Sequence, residues 1–188
     1  MKKKLIKLIF TVLSAVMLFT SSGLSAEILD PKIEIHDNNI LVSTGLIDLG
    51  EIEAAIRSGV EKDIMFTVEL IRVWKLWPDE FVILKKIRTR VKYDYLRERF
   101  MLTSSDGKSK TSKMFKGINF MKSRAFMINN MEIANIHELE PGSYYLRVVA
   151  ESKSRELPRV IGLLMLFIPE VEMSLAKESA PFTVGEKR

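Results

Sequence analysis

Two long stretches of alternating apolar and polar residues, joined by a short turn, constrain the fold of this chain most. In residues 62–77, KDIMFTVELIRVWKLW, the apolar positions are Ile64, Phe66, Val68 and Leu70. After the turn Trp77-Pro78-Asp79, a second stretch places one set of residues on an apolar side: Phe81, Ile83, Ile87, Val91 and Tyr93. The other side carries Lys86, Arg88, Arg90 and Lys92. A period of two predicts strands with one packed and one hydrated face, so we expect a long antiparallel pair.

Shorter patterns predict the neighbouring elements. Alternation on both sides of Asp37-Asn38-Asn39 predicts a β-hairpin, because these residues favour tight turns. Asp48 and Glu51 have capping-box spacing, and Gly59 can end a helix, so we expect a helix over 49–58. Helical spacing of Met114, Ile118, Met121 and Ala125 predicts a second helix over about 111–126. A final strand is expected over 172–184.

The stretch LEPGSYYLRVVAE, residues 139–151, resembles the tyrosine corner of immunoglobulin-like and fibronectin-like sandwiches. In that corner a tyrosine hydroxyl bonds back to the backbone just upstream. The alternation predicts that Tyr144, Leu146 and Val148 face inward. We therefore predict a mainly β fold, an antiparallel β-sandwich, immunoglobulin-like or related, with two short peripheral helices.

The first 26 residues have the layout of a secretory signal peptide: four lysines, an apolar run from Leu8 to Phe19, and small residues up to Ala26. An uncleaved anchor is the alternative, although the run is shorter than the roughly 20 residues needed to span a bilayer. We expect export, cleavage near Ala26 and one domain over 27–188. Loss of four lysines would leave 25 basic against 24 acidic residues, a net charge of +1.

Charge is concentrated in residues 85–124, which carry 13 Lys and Arg against three acidic residues. Such asymmetry can attract phosphates or an acidic partner, although hydrated faces of a strand and a helix would look the same. The candidate basic interaction face consists of Lys86, Arg88, Arg90, Lys92, Lys113 and Lys116.

The run LPRVIGLLMLFIPEV, residues 157–171, is apolar from Val160 to Ile168. As a helix these nine residues would reach only about 14 Å, too short to cross a bilayer. We expect residues 160–168 to form a buried strand or extended segment with Leu164 and Leu166 nearly fully buried. Docking on lipid or on a partner is the alternative.

Catalytic chemistry has little support in the sequence. The chain has no cysteine and two distant histidines, His36 and His137, and it contains no nucleophile or phosphate-loop motif. We therefore predict no catalytic, cofactor-binding or metal-binding residues and no cofactor. Trp74 and Trp77 are a candidate aromatic contact for a glycan or a peptide, with a shielding role as the alternative.

Several stretches together resemble the bacterial exported proteins grouped as domain of unknown function family 4390. They are EIEAAIRSGVEKDIMFTVELIRVWKLW, VKYDYLRERFMLT, LEPGSYYLRVVAE, ELPRVIGLLMLFIPE and MSLAKESAPFTV, within about residues 33–184. The resemblance implies a signal-bearing envelope protein, commonly encoded near a membrane sensor kinase, with no assigned activity. It transfers no catalytic residue.

The leading hypothesis is an exported, periplasmic, non-enzymatic binding or interaction module of the cell envelope. Its partner would be an envelope protein or anionic lipid headgroups. Export argues against nucleic acid, and we expect no transmembrane segment in the mature chain. The alternatives are an envelope hydrolase or transferase with carboxylates from distant loops, and a lipid-handling protein whose 157–171 run lines a cavity.

Overall fold

The fold is a sandwich of two antiparallel sheets with one apolar core between them. The computed structural model describes residues 26–154 and 171–185. The spatial order of the long sheet is β10 (Met173–Glu178), β9 (Gly142–Ser154), β4 (Lys62–Val73), β5 (Glu80–Asp94), β6 (Arg99–Ser105) and β7 (Lys110–Phe115), and β11 (Phe182–Val184) also pairs with β9. The short sheet is built on β3 (Asn39–Ile47), which pairs with β1 (Glu27–Ile28), β2 (Lys32–His36) and β8 (Met127–Asn135). The predicted mainly β sandwich is confirmed.

The core is formed by the alternating side chains that the sequence places on one face of each strand. The inner residues of β4 predicted from the pattern, Ile64, Phe66, Val68 and Leu70, are all buried. They pack with Leu146 and Val148 of β9 and with Ile40 and Val42 of the short sheet. The first hairpin is also as predicted, because Asp37 and Asn38 adopt positive φ angles of 48° and 63° between β2 and β3.

Strand β5 departs from its predicted pattern at its beginning. Ile83 pairs with Leu70, but Phe81 pairs with Ile71, so Val82 is an extra residue, a β-bulge. The bulge turns Phe81 to the outer face of the sheet, where 57% of its surface is exposed. The prediction that Phe81 lies on the packed side is therefore wrong, whereas Val91 on the same predicted side is buried.

Two short helices, α1 (Gly50–Arg57) and α2 (Ile118–Ala125), pack against the sandwich. The first lies within its predicted range and ends before Gly59, which has a φ of 89°. The predicted capping box is wrong, because Leu49 is the N-cap residue and no side chain caps the helix. Asp48 has a positive φ of 56°, which places it outside the helix.

The second predicted helix is wrong over its first half. Residues Lys110–Phe115 form β7, paired antiparallel with β6. The turn between these strands is fixed by Gly107, with a φ of 88°, and by Asp106, whose carboxylate accepts bonds from the backbone N–H groups of Lys108 and Ser109. Pairing with the open edge of β6 therefore outweighs the helical spacing. The helix begins only after Gly117, where Met121 and Ala125 point into the core.

The predicted tyrosine corner is present at the start of β9. The Tyr144 hydroxyl donates a 2.6 Å hydrogen bond to the backbone carbonyl of Glu140, and Tyr144 is buried. The predicted final strand is divided into β10 and β11 at Ser179-Ala180-Pro181. Both parts pair with β9.

Three predictions lie outside the described residues: the signal peptide over residues 1–26 apart from Ala26, most of the 157–171 run, and the burial of Leu164 and Leu166. Among the described residues, no helix is long and apolar enough to span a membrane.

Candidate functional site

Exposed apolar side chains are concentrated at one end of the β4–β5 hairpin. Of the eleven large hydrophobic side chains that are exposed in the described part of the chain, six lie within residues 73–84. We call them the tip patch: Val73, Trp74, Leu76, Trp77, Phe81 and Leu84. Leu76 and Trp77 are the most exposed of the six, at 92% and 76%. Isolated exposed apolar residues are common, whereas a concentration of this kind is typical of interaction surfaces.

Residues 74–79, which we call the tip, connect β4 to β5 and extend beyond the surrounding strands. Arg72 and Glu80 are the last paired residues of β4 and β5, so residues 74–79 form the connection beyond the sheet. On the other side of β4, pairing with β9 ends at Val73 and Ser143. The connecting residues are therefore free of strand neighbours, which explains the near-complete exposure of Leu76.

A group of polar contacts holds Trp74 at the base of the tip. The Arg72 guanidinium carbon lies 4.2 Å from the centroid of the Trp74 ring, a cation–π geometry. The indole N–H donates a 3.1 Å bond to Glu80 Oε2. The Trp74 backbone N–H donates to Asp79 Oδ1 at 3.4 Å. The base of the tip is thus preorganised, because the ring contacts and bonds fix one tryptophan orientation.

Arg72 connects the tip to the loop that precedes β9. Its guanidinium pairs with the Glu140 carboxylate, donates a 3.0 Å bond to the Pro141 carbonyl, and lies 4.0 Å from Glu80. The bond to Glu140 raises the pKa of Arg72 above its already high ordinary value. The arginine is therefore a permanent cation that joins the two loops next to the tyrosine corner.

The apolar surface continues from the tip onto the outer face of the long sheet. Phe81, Ile71 and Tyr145 are cross-strand neighbours in one row, and Ile71 is buried although it faces outward. Burial, and then the carboxylates of Glu178 and Asp79, raise the pKa of the Tyr145 hydroxyl, which lies 3.4 Å from Asp79 Oδ2. The row joins the tip to the sheet, so the two form one continuous surface.

The structure places the two predicted aromatic residues in one connection. That they contact a glycan or a peptide stays a prediction. Trp74 and Trp77 lie in the same connection, and sequence analysis did not include Leu76 and Phe81 with them. The outward position of Phe81 depends on the Val82 bulge, which alternation alone does not predict. Leu76 could have been assigned from its place between two tryptophans before a Pro-Asp turn.

The six predicted basic residues do not form one face. Lys86, Arg88, Arg90 and Lys92 alternate along β5 on the outer face of the long sheet. Lys113 pairs with Leu102, whose side chain is buried on the inner face, so Lys113 lies on the opposite side of the sheet. Lys116 follows the end of β7. The six basic residues are close in sequence, but the fold places them on different parts of the surface.

Two of the four outer cations are engaged by a buried carboxylate. Arg88 bonds Asp63 Oδ2 at 2.6 Å, and Arg90 contacts Asp63 Oδ1 at 3.3 Å and Glu61 at 3.0 Å. Burial opposes ionisation of Asp63, but the bonds and charges of the two arginines lower its pKa below the ordinary value. Of these four cations, Lys86 and Lys92 make no ion pair with the described residues. The basic surface is therefore weaker than the composition suggests.

A cavity of about 300 Å³ lies at the opposite end of β4, between the long sheet and α1. Lys62 lines it, donates a 2.6 Å bond to Ser154 Oγ and pairs with Glu172. Burial opposes ionisation of Glu172, but the hydrogen bonds from Lys62 and Ser154 lower the pKa of its carboxyl group. Lys62, Ser154 and Glu172 therefore form one polar cluster at this end of β4.

The histidine and carboxylate side chains that could take part in catalysis or metal binding are dispersed. In residues 26–154 and 171–185, no group of three or more His, Asp or Glu side chains could hold a metal ion. His36 and His137 are both exposed and lie on β2 and on a short 3₁₀ turn (Ile136–Glu138) respectively. The carboxylates that line the cavity, Asp48, Glu51 and Glu172, have no histidine beside them in the lining.

Comparison with known families gives one match. The family described as Domain of unknown function (DUF4390) matches residues 24–179. The chain belongs to this family. The DUF4390 match includes the tip patch and strands β1 to β10, and the family description assigns no activity. Comparisons with curated proteins and with solved structures gave no match.

Proposed function

We propose that this member of the DUF4390 family is an exported, non-enzymatic interaction module of the cell envelope that contacts its partner through the tip patch. The observation that carries the proposal is the concentration of six of eleven exposed large hydrophobic side chains in residues 73–84. Side chains left in water contribute no hydrophobic stabilisation, whereas full burial of a large one is worth about 1.5–3 kcal/mol. Burial of the patch on association would recover this free energy.

The other parts of the proposal have separate support. Export is supported by the lysine-rich, apolar start of the sequence up to Ala26. The absence of an enzymatic role is supported by the sequence, which has no nucleophile motif and no cysteine.

The proposal predicts that polar substitutions at the tip abolish partner capture without changing the fold. We expect the variant Leu76→Ser/Trp77→Ser to lose the envelope components that the wild-type chain retains in pull-down from native envelope extracts. Its melting temperature should stay close to that of the wild type, because both side chains are exposed and support no core contact. Quantitative mass spectrometry of the retained fraction measures the loss.

The matched control is Leu96→Ser/Phe120→Ser. Leu96 is 98% exposed in the β5–β6 turn at the far end of the sheet, and Phe120 is 70% exposed on α2. This variant removes a leucine and an aromatic side chain of comparable exposure and should retain every component. Equal loss from both variants, or no loss from the tip variant, contradicts the proposal.

A further inference from the structure

The side chains of the hairpin tip are ordered by polarity along the hairpin axis. Leu76 and Trp77, the most exposed, lie in the connection beyond the last strand pair. Trp74 lies closer to the sheet, with its indole N–H bonded to Glu80. Behind it is a collar of polar and charged side chains, Arg72, Asp79, Glu80, Glu140 and Tyr145. Between Leu76 and Arg72 the order is therefore apolar, then amphipathic, then charged, while the exposed Phe81 lies beside the collar on the outer face of the sheet.

This order matches the interface of a lipid bilayer. Aliphatic side chains enter the acyl region, while tryptophan prefers the headgroup level, where its ring is apolar and its N–H finds a polar partner. Charged groups remain in the hydrated layer. A convex tip with two nearly uncovered side chains can be accommodated by a soft bilayer, whereas a protein partner would need a pocket shaped to fit it.

The charge of the collar selects the type of headgroup. Arg72 contributes one positive charge, and Asp79, Glu80 and Glu140 contribute three negative charges, so the collar carries −2. Lys75 in the tip reduces this to −1. A net negative collar is repelled by an anionic surface, since anionic lipids attract basic segments. Zwitterionic headgroups, which present both a cation and a phosphate, can pair with both signs in the collar.

We propose that the hairpin tip inserts Leu76 and Trp77 into the interface of a bilayer with zwitterionic headgroups. This inference rests on the proposed function and specifies the partner of the same surface. It replaces the anionic lipid expected from the sequence, because the six basic residues behind that expectation do not form one face. Lys113 lies on the opposite side of the sheet from Lys86, Arg88, Arg90 and Lys92. Two of those four residues are engaged by Asp63.

The accessibility of the tip is supported by its distance from the N-terminal end of the described chain. Ala26 and Lys62 line the same cavity, so the chain enters the domain near the first residue of β4. Val73 lies eleven positions after Lys62 in β4, which corresponds to about 36 Å along a strand. Ala26, the first described residue, therefore lies at the end of the domain opposite the tip.

The test uses tryptophan emission, because both tryptophans of the chain, Trp74 and Trp77, lie in the tip. The purified chain is mixed with phosphatidylcholine vesicles whose acyl chains carry bromine atoms, which quench nearby tryptophan. We expect a shift of the emission to shorter wavelength and strong quenching. Trp74→Phe, which leaves Trp77 as the only emitter, should still be quenched. Attachment through another part of the chain would not by itself quench this residue.

Three comparisons make the result specific. Leu76→Ser should weaken vesicle partitioning about 10-fold to 100-fold, the factor expected for one buried leucine side chain. Leu96→Ser should leave vesicle partitioning unchanged. Replacing half of the phosphatidylcholine with anionic phosphatidylglycerol should weaken it.

The outcomes separate this inference from the proposed function. Failure of Trp77 to be quenched in any vesicle, or equal partitioning of the Leu76→Ser and Leu96→Ser variants, overturns the lipid inference. If a protein is still captured in a tip-dependent manner, the surface binds protein and the proposed function stands. If the tip substitutions also leave capture unchanged, both are contradicted. Stronger binding to the phosphatidylglycerol vesicles would overturn the preference for zwitterionic headgroups.

Discussion

Replacing Tyr144 with alanine is expected to lower the free energy of unfolding by about 3–5 kcal/mol. The ring is fully buried and lies 6.1 Å, between centroids, from the ring of Phe182 on β11. Its hydroxyl fixes the turn before β9 through the carbonyl of Glu140. Alanine removes the aromatic packing, leaves a cavity and leaves that carbonyl without its donor. Urea unfolding followed by far-UV circular dichroism measures the change.

Tyr144→Phe separates the hydrogen bond from the ring. It should cost about 1 kcal/mol, since one neutral hydrogen bond contributes about 0.5–1.5 kcal/mol. Burial raises the pKa of the Tyr144 hydroxyl, so the group stays protonated and donates over the physiological pH range. If the phenylalanine variant is as unstable as the alanine variant, the ring contributes little and the corner is held together by the hydrogen bond instead.

Replacing Asp63 with alanine is expected to cost about 3 kcal/mol. Its buried carboxylate neutralises Arg88 and Arg90 on the outer face of the long sheet. Removing one partner of a buried ion pair typically costs 3–5 kcal/mol, and we expect the lower end because half of the Arg88 side chain is exposed to water. Arg88→Ala is the matched control and should cost less, since Arg90 still pairs with Asp63.

The contribution of Asp63 to stability should depend on pH. Its folded pKa is depressed, so its stabilisation is fully present above the unfolded value of about 4 and is lost as the pH falls through the folded pKa. The difference in unfolding free energy between wild type and Asp63→Asn should therefore be constant near neutrality and shrink in acid below about pH 4. A difference that grows in acid would contradict the assignment of the ion pair.

Local pattern was sufficient to predict the main strands and the tyrosine corner. The inward positions of Ile64 to Leu70 and of Tyr144 follow from a period of two alone, because each strand has one face in the core. The Asp37-Asn38 turn was predictable for a similar local reason, since both residues tolerate positive φ. These features depend on neighbours close in sequence.

Other features depend on pairing between distant residues and could not be predicted. The Val82 bulge changes the face of Phe81, and it exists only relative to the register of β4. Strand β7 forms because the edge of β6 is available, although its residues have helical spacing. Two of the four outer cations of β5, Arg88 and Arg90, are engaged by Asp63, which lies 25 residues from Arg88 in sequence. The exposed tip was only partly predicted for the same reason, because burial is decided by the whole fold.

Site-specific photo-crosslinking is the most direct test of the central claim that the hairpin tip is the contact surface. A benzoyl-phenylalanine at position 76 is compared in intact cells with the same residue at position 96. Both leucines are almost fully exposed on turns of the long sheet, at opposite ends of β5. We predict adducts, with lipid or protein, from position 76 and none above background from position 96. Equal labelling at both positions, or labelling from position 96 alone, would contradict the account.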